Sequence, residues 1–206
     1  MPKKTFMNLP EEKQQRLLDA GFQEFSRVPA DEASINNIIK LAAIPRGSFY
    51  QYFEDKFDLH EYIVQLYSQK LKNSWVTLLK TYHGNLFTAL PIFFEEFLDE
   101  LTNEKQVDFW KNTFTSFRNL NLSKKHLETK HLEINHAFID EVDENLLKID
   151  LSSENLELLR RQIITMMMQS VHCYFFDKRL GNENPREDAI KQFNIMLNWL
   201  EYGIRK

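Results

Sequence analysis

The sequence predicts an all-α chain of eight to ten helices. Apolar residues recur at steps of three and four along almost its whole length, and no stretch alternates polar and apolar long enough to make a strand. Turn-forming residues are scarce. Glycine and proline number 5 and 6 in 206 residues, where average usage gives roughly 25, which leaves little room for the many tight turns of a sandwich or barrel. With 43% hydrophobic residues and seventeen Phe, the chain can build a real core and is not a disordered one.

Taken in order, Leu18, Phe22 and Phe25 with Leu17 and Gly21 beside them mark a first helix, capped by Asn8 with Glu11 completing a capping box. It stops before Pro29, because the residue preceding a proline is pushed out of the α region. Ala30–Ala33 form a linker, and Ser34 is a good N-cap for a short helix over Ile35–Ala42 that buries Ile35, Ile38, Ile39 and Ala42. Pro45 breaks the chain and starts a third helix, Pro45–Tyr52. A long fourth helix, Lys56–Tyr82, carries Leu59, Tyr62, Ile63, Leu66, Tyr67, Leu71, Trp75, Leu78 and Leu79 on one stripe and ends at His83-Gly84-Asn85. Further helices are predicted over Leu86–Leu101, Val107–Asn119, Ser123–Lys148, Ser152 or Ser153 to Leu180, and Pro185–Gly203. Gly181–Pro185 is the clearest turn signal between them.

Two short helices joined by a tight turn, the second opening on a proline, describe a helix-turn-helix. The electrostatics agree locally. Net charge is −4 overall, and residues 1–60 hold eight Lys/Arg against nine Asp/Glu, so bulk attraction to nucleic acid is excluded. Yet Ser34–Phe53 contains Lys40 and Arg46 and no carboxylate, where the chain average gives about three, as a surface approaching phosphates requires. Phe49 and Phe53 are expected to face inward against Phe22, Phe25 and Ile39. Arg46, Gly47, Ser48, Tyr50, Gln51 and Tyr52 then face a DNA groove or its walls. Arg46 suits guanine or phosphate, Gln51 adenine, the tyrosine hydroxyls phosphate oxygens, and Gly47 a close backbone approach. Ser34 offers a phosphate its hydroxyl and free N–H groups.

The stretch LLDAGFQEF followed by SINNIIKLAAIPRGSFYQYFEDKFDL, with its aromatic string Phe49-Tyr50-Gln51-Tyr52-Phe53 and then Lys56 and Leu59, resembles the N-terminal module of the TetR family of bacterial transcriptional repressors. The resemblance implies DNA contacts from Ser34, Pro45, Arg46, Gly47, Ser48, Tyr50, Gln51, Tyr52 and Lys56. It implies a helix-turn-helix DNA-binding domain over residues 1–55 and a larger helical domain for ligand binding and dimerisation over 56–206. Three departures stand out: Ala43 where glycine is frequent, Pro45 where Ser or Thr is commoner, and no glycine around Val28-Pro29. Alanine at position 43 is strained if the turn needs positive φ.

The middle of the chain is rich in aromatic residues, most of them core. The resemblance implies a ligand pocket among them, for which Trp75, Phe94, Phe97, Trp110, Phe114 and Phe117 are the candidate lining and an apolar or flat molecule the candidate inducer. The last two helices carry more apolar surface than a small bundle needs. Ile163, Met167, Val171, Tyr174, Phe193, Leu197 and Leu200 are the expected interface of a homodimer, as in the family.

Other chemistries find little support. His126, His131 and His136 sit at five-residue steps, about 140° apart around a helix, and do not converge on one metal. His172-Cys173 has no partner at i+4, and no phosphate loop or nucleophile elbow occurs, so neither an enzyme nor a cofactor is expected. The single cysteine fits a reducing cytoplasm. The N-terminus lacks a signal peptide's apolar core, and the longest uncharged run, Gln162–Phe176, has 15 residues, short of the ~20 that span a bilayer. With the resemblance, the expected protein is a cytoplasmic, homodimeric transcriptional regulator, a repressor released by a small-molecule ligand, that binds a palindromic operator in double-stranded DNA; its expected partners are an inducer and a second copy. The alternative is a helical small-molecule-binding protein without a DNA role.

Overall fold

The structure, a computed structural model, describes residues 2–119, 141–149 and 152–204. These residues are all-α: α1 (Lys4–Met7), α2 (Glu11–Arg27), α3 (Ile35–Leu41), α4 (Arg46–Tyr52), α5 (Lys56–Thr81), α6 (Leu86–Thr102), α7 (Val107–Asn119), α8 (Ser153–Arg179) and α9 (Pro185–Ile204). The chain divides into two compact units, one of Met1–Gln69 with Leu101–Thr129, the other of Lys70–Glu100 with Lys130–Lys206.

In the first unit, α2 buries Leu17, Ala20, Gly21, Glu24 and Phe25. Gly21 allows the closest approach, because a Cβ there would lie 2.8 Å from Leu59 Cδ2 on α5. α7 packs on α2 through Phe109, whose ring stacks on Phe22 at 4.8 Å. In the second unit, α8 and α9 pair as an antiparallel hairpin, and Phe193 stacks on Phe94 of α6 at 4.1 Å. Trp75 of α5 meets Phe93 of α6 at 5.0 Å.

Three helices end on the same device. Ala43 (φ 51), His83 (φ 53) and Gly181 (φ 81) are in the left-handed region, and in each case the next residue's N–H reaches back five positions: Ile44 to Ile39, Gly84 to Leu79, Asn182 to Asp177. This Schellman closure satisfies carbonyls that the last turn leaves without partners. Only Gly181 adopts that backbone without steric cost. The α8 start also matches its sequence signal, with the Ser152 side chain accepting from the Asn155 N–H.

Elsewhere the structure corrects the sequence reading. The N-terminal segment forms α1, which no periodicity announced. α2 opens at Glu11 with Pro10 rather than Asn8 in the N-cap position, and the Asn8 amide instead closes α1 on Lys4 O. Ser34 holds the N-cap position of α3, but its side chain makes no cap bond. Ile38 and Ala42 are buried as expected, while Ile35 and Ile39 are half-buried and Leu66 of the α5 stripe is exposed. The expected helix over Ser123–Lys148 fails at its described end. There Asp143 caps a single 3₁₀ turn, Glu144–Leu146, and its amide donates to Gly84 O at 3.0 Å. The rest of that helix, the three histidines on it and the Phe117 side chain lie outside the described residues.

Candidate nucleic-acid interface

The geometry of α4 follows from its sequence. The left-handed Ala43 ends α3, Pro45 takes the N-cap position with φ −63, and a seven-residue helix then alternates two faces. Phe49 and Phe53 are 0% exposed. Pro45, Arg46, Gly47, Tyr50 and Gln51 are exposed, with Ser48 and Tyr52 half-buried. Gly47 faces open space, since an added Cβ would meet nothing within 4 Å. Arg46 donates to Asn36 Oδ1 and to the Tyr50 hydroxyl at 3.3 Å, and its guanidinium lies 5.9 Å from the Tyr50 ring centroid. The outward face is thus a fork of donors and a phenol, with the amide of Gln51 one residue on and no carboxylate between Ser34 and Phe53.

The seat of α4 differs from the expected one. Phe53 packs on Phe6 of α1 at 4.9 Å and on Tyr62 of α5 at 6.1 Å. Phe25 instead meets the His60 ring edge-on at 4.9 Å, and Phe22 faces α7. Phe6, too isolated in sequence to signal a helix, is the missing half of the clamp.

Glu24 is the other residue the sequence did not single out. It is 2% exposed and takes two hydrogen bonds from Arg27, at 2.9 and 2.7 Å, one from the Ser34 N–H at 2.8 Å and further ones from Asn37. The Arg27 bonds, helped by the Ser34 amide and Asn37, hold its carboxyl below the usual carboxylate range against the opposing effect of burial. The Ser34 N–H is therefore occupied inside the protein, leaving its hydroxyl as the group available outside. Lys56 is engaged likewise: its half-buried ammonium donates to Asp31 O at 2.5 Å and Ala33 O at 2.9 Å, which ties down the α2–α3 loop.

α7 grips the same loop from behind. Asn112 donates to the carbonyls of Phe25 and Ser26 at 3.0 and 2.9 Å, capping the end of α2. Ser116 accepts from the Ala30 N–H at 2.8 Å. Thr113 pairs with His60 at 2.9 Å. Burial pushes the His60 pKa down to about 4, so the ring is neutral near pH 7.

The remaining candidates fall into separate places. Trp110 and Phe114 lie in the first unit, where their rings stack 6.2 Å apart and Trp110 meets Tyr67. Trp75, Phe94 and Phe97 lie in the second, the first two fully buried and Phe97 stacked on Phe93. Ile163, Met167, Val171, Tyr174, Phe193 and Leu197 are buried in the chain's own packing, and Leu200 is half-buried. Exposed apolar side chains lie opposite on α9, where Ile195, Trp199 and Tyr202 are 41%, 72% and 84% exposed, and Leu158, Ile164, Phe176 and Leu180 are exposed on α8 and at its end. At 100° per residue the three on α9 fall on one stripe, roughly 150° from Ala189, Phe193 and Leu197. Among the described residues no group of His, Cys, Asp or Glu is placed to hold a metal, and no helix is long and apolar enough to cross a membrane.

Comparison with known proteins agrees with this architecture. The family described as "Bacterial regulatory proteins, tetR family" matches residues 17–63, and "Tetracyclin repressor-like, C-terminal domain" matches residues 85–204. No curated protein matches the chain. Among solved structures, a TetR-family transcriptional regulator from Streptomyces coelicolor is similar over 94% of this chain and 81% of its own, with 19% identity and TM-score 0.62. One from Rhodococcus sp. is similar over 94% and 98%, with 13% identity and TM-score 0.60. The regulator FadR from Bacillus subtilis, solved in complex with stearoyl-CoA, is similar over 93% and 99%, with 17% identity and TM-score 0.56. With a helix-turn-helix ahead and the C-terminal family match covering more than half of its length, the chain belongs to the TetR family of bacterial transcriptional regulators.

Proposed function

We propose that the chain is a cytoplasmic, homodimeric repressor that reads a palindromic operator in double-stranded DNA and is released by a small molecule. The observation that carries the DNA reading is the outward face of α4: Arg46, Gly47, Tyr50 and Gln51 exposed over a buried Phe49–Phe53 seat, in a window free of carboxylates. Arg46 and Gln51 are assigned to base edges, Tyr50, Tyr52, Ser48 and the Ser34 hydroxyl to phosphates, and Gly47 and Pro45 to close backbone approach. Lys56 is assigned to holding the α2–α3 loop. Residues 1–55 form the DNA-binding part and 56–206 the ligand-binding and dimerisation part.

The second copy is assigned to the exposed stripe of α9, which presents Trp199 and Tyr202 to solvent. A two-fold dimer requires an operator with matching half-sites, about 34–36 Å or one helical turn apart, or a little more. Effector binding releases DNA only through a higher affinity for the non-binding conformation. α7 supports such coupling, because it lies within residues 85–204 yet holds the end of α2 and the α2–α3 loop through Asn112 and Ser116, and α5 through Thr113. On α7, the buried Trp110 Nε1, and before it Gln106 Oε1, have no partner among the described residues. They suit an effector that is largely apolar and carries one acceptor and one donor. Stearoyl-CoA, held by FadR, is the first compound to try.

Selection of bound duplexes from a random library tests the reading. The expected result is a two-fold symmetric sequence, and recovery of unenriched DNA overturns it. Footprints at saturating effector then test release, and an unchanged operator affinity with a ligand shown to bind counts against it.

A further inference from the structure

The last turn of α4 leaves three carbonyls without helical partners, those of Tyr50, Gln51 and Tyr52. Each is met by the N-terminal segment. Lys3 Nζ donates to Tyr50 O at 2.9 Å, the Thr5 hydroxyl donates to Gln51 O, and the Lys3 N–H donates to Tyr52 O at 2.8 Å. Phe6 is 0% exposed and wedges its ring against Tyr52, Phe53 and Tyr62 at 6.3, 4.9 and 5.7 Å. Gln14 closes the α1–α2 turn by donating to Leu9 O at 2.9 Å. A four-residue helix has no stability of its own, so α1 exists because of these contacts. The segment also lies outside residues 17–63, where the family match begins and ends.

From this we propose that Lys3–Phe6 is a positioning element for DNA reading: it caps α4 from outside the helix-turn-helix and fixes the direction in which Arg46, Tyr50 and Gln51 point. Its residues act through α4. A seven-residue helix seated on Phe49 and Phe53 can still turn about that apolar seat, and the three capping bonds remove that freedom at its C-terminal end. Lys3 also places a positive charge at the carbonyl end of the helix, where the dipole favours it. The inference rests on the DNA-reading function proposed above.

The experiment compares the full chain with Lys3→Met/Thr5→Val, which removes both side-chain donors, and Lys3→Arg/Thr5→Ser, which keeps them. The readout is the ratio of affinity for the selected operator to affinity for a random duplex, at a temperature where circular dichroism shows each variant folded. Loss of the Lys3 charge weakens both affinities and cancels in the ratio, whereas lost positioning lowers the ratio. Two side-chain hydrogen bonds to backbone carbonyls correspond to about a tenfold drop for the first variant, with the second near the unmodified chain. An unchanged ratio in Lys3→Met/Thr5→Val overturns the positioning role. A ratio near one in the unmodified chain overturns the DNA reading itself, and the positioning role falls with it.

Discussion

At the scale of single residues, the clearest outcome is Ala43. The sequence shows an alanine where the turn is strained if φ is positive, and the structure places it at φ 51. A left-handed alanine costs about 1 kcal/mol or more, partly offset by the entropy that glycine loses on folding. Ala43→Gly is therefore expected to stabilise the chain by about 0.5–1 kcal/mol, raising the thermal midpoint by about 1–4 °C; an unchanged or lowered midpoint contradicts it. Gln51→Ala is expected to relax preference at one base pair of the operator and leave the others intact, which binding to single-base operator variants measures. Side-chain placement is legible where helical phase decides it, as for the exposed Arg46 and the buried Phe49 and Phe53. It is not legible where a backbone group from a distant segment is the partner. Nothing near Glu24 in sequence says that it will accept from the Ser34 amide, and nothing near Lys56 says that its ammonium will hold the carbonyls of Asp31 and Ala33.

At the scale of elements, most helices stand where the apolar spacing puts them, and the proline and glycine signals fix their ends to within a residue or two. α7 spans Val107–Asn119 as read. α1 was illegible because four residues carry no period, and their helix depends on Phe6 finding Phe53. The 3₁₀ turn at Glu144–Leu146 was hidden for a similar reason: helix-compatible spacing continues through it, but Asp143 is drawn onto Gly84. How α7 meets α5, through Thr113 and His60, also bears on stability. His60 stays neutral down to about pH 4 in the folded chain, whereas an unfolded histidine takes its proton near 6.5. Protonation then favours the unfolded state in that window. Stability is expected to be full above pH 6.5 and to fall as pH drops from there towards 4, by up to about 3 kcal/mol. Urea unfolding of the unmodified chain and His60→Gln across that range checks this, and equal slopes in the two exclude His60 as the source.

At the scale of the whole molecule, apolar content identified the last two helices as an excess of sticky surface without saying which side is free. Hydrophobicity alone does not separate a residue that packs inside its own hairpin, such as Met167 or Phe193, from one kept for another copy. Trp199 and Tyr202, exposed on α9, are proposed as the second kind. Trp199→Glu with Tyr202→Glu is expected to give a folded monomer by light scattering, while Met167→Glu should instead lower the thermal midpoint. A dimer of full mass from the first pair contradicts the α9 interface. In the proposed dimer the two-fold arrangement would matter because one α4 can reach only a few base pairs, so operator affinity would depend on both heads. DNA reading by α4 is tested most sharply by the affinity of Arg46→Ala for the selected operator at an unchanged thermal midpoint. Losing a bidentate contact to a base edge predicts a fall of about 10- to 100-fold. Full affinity with an intact base preference would mean that the outward face of α4 is not what touches DNA.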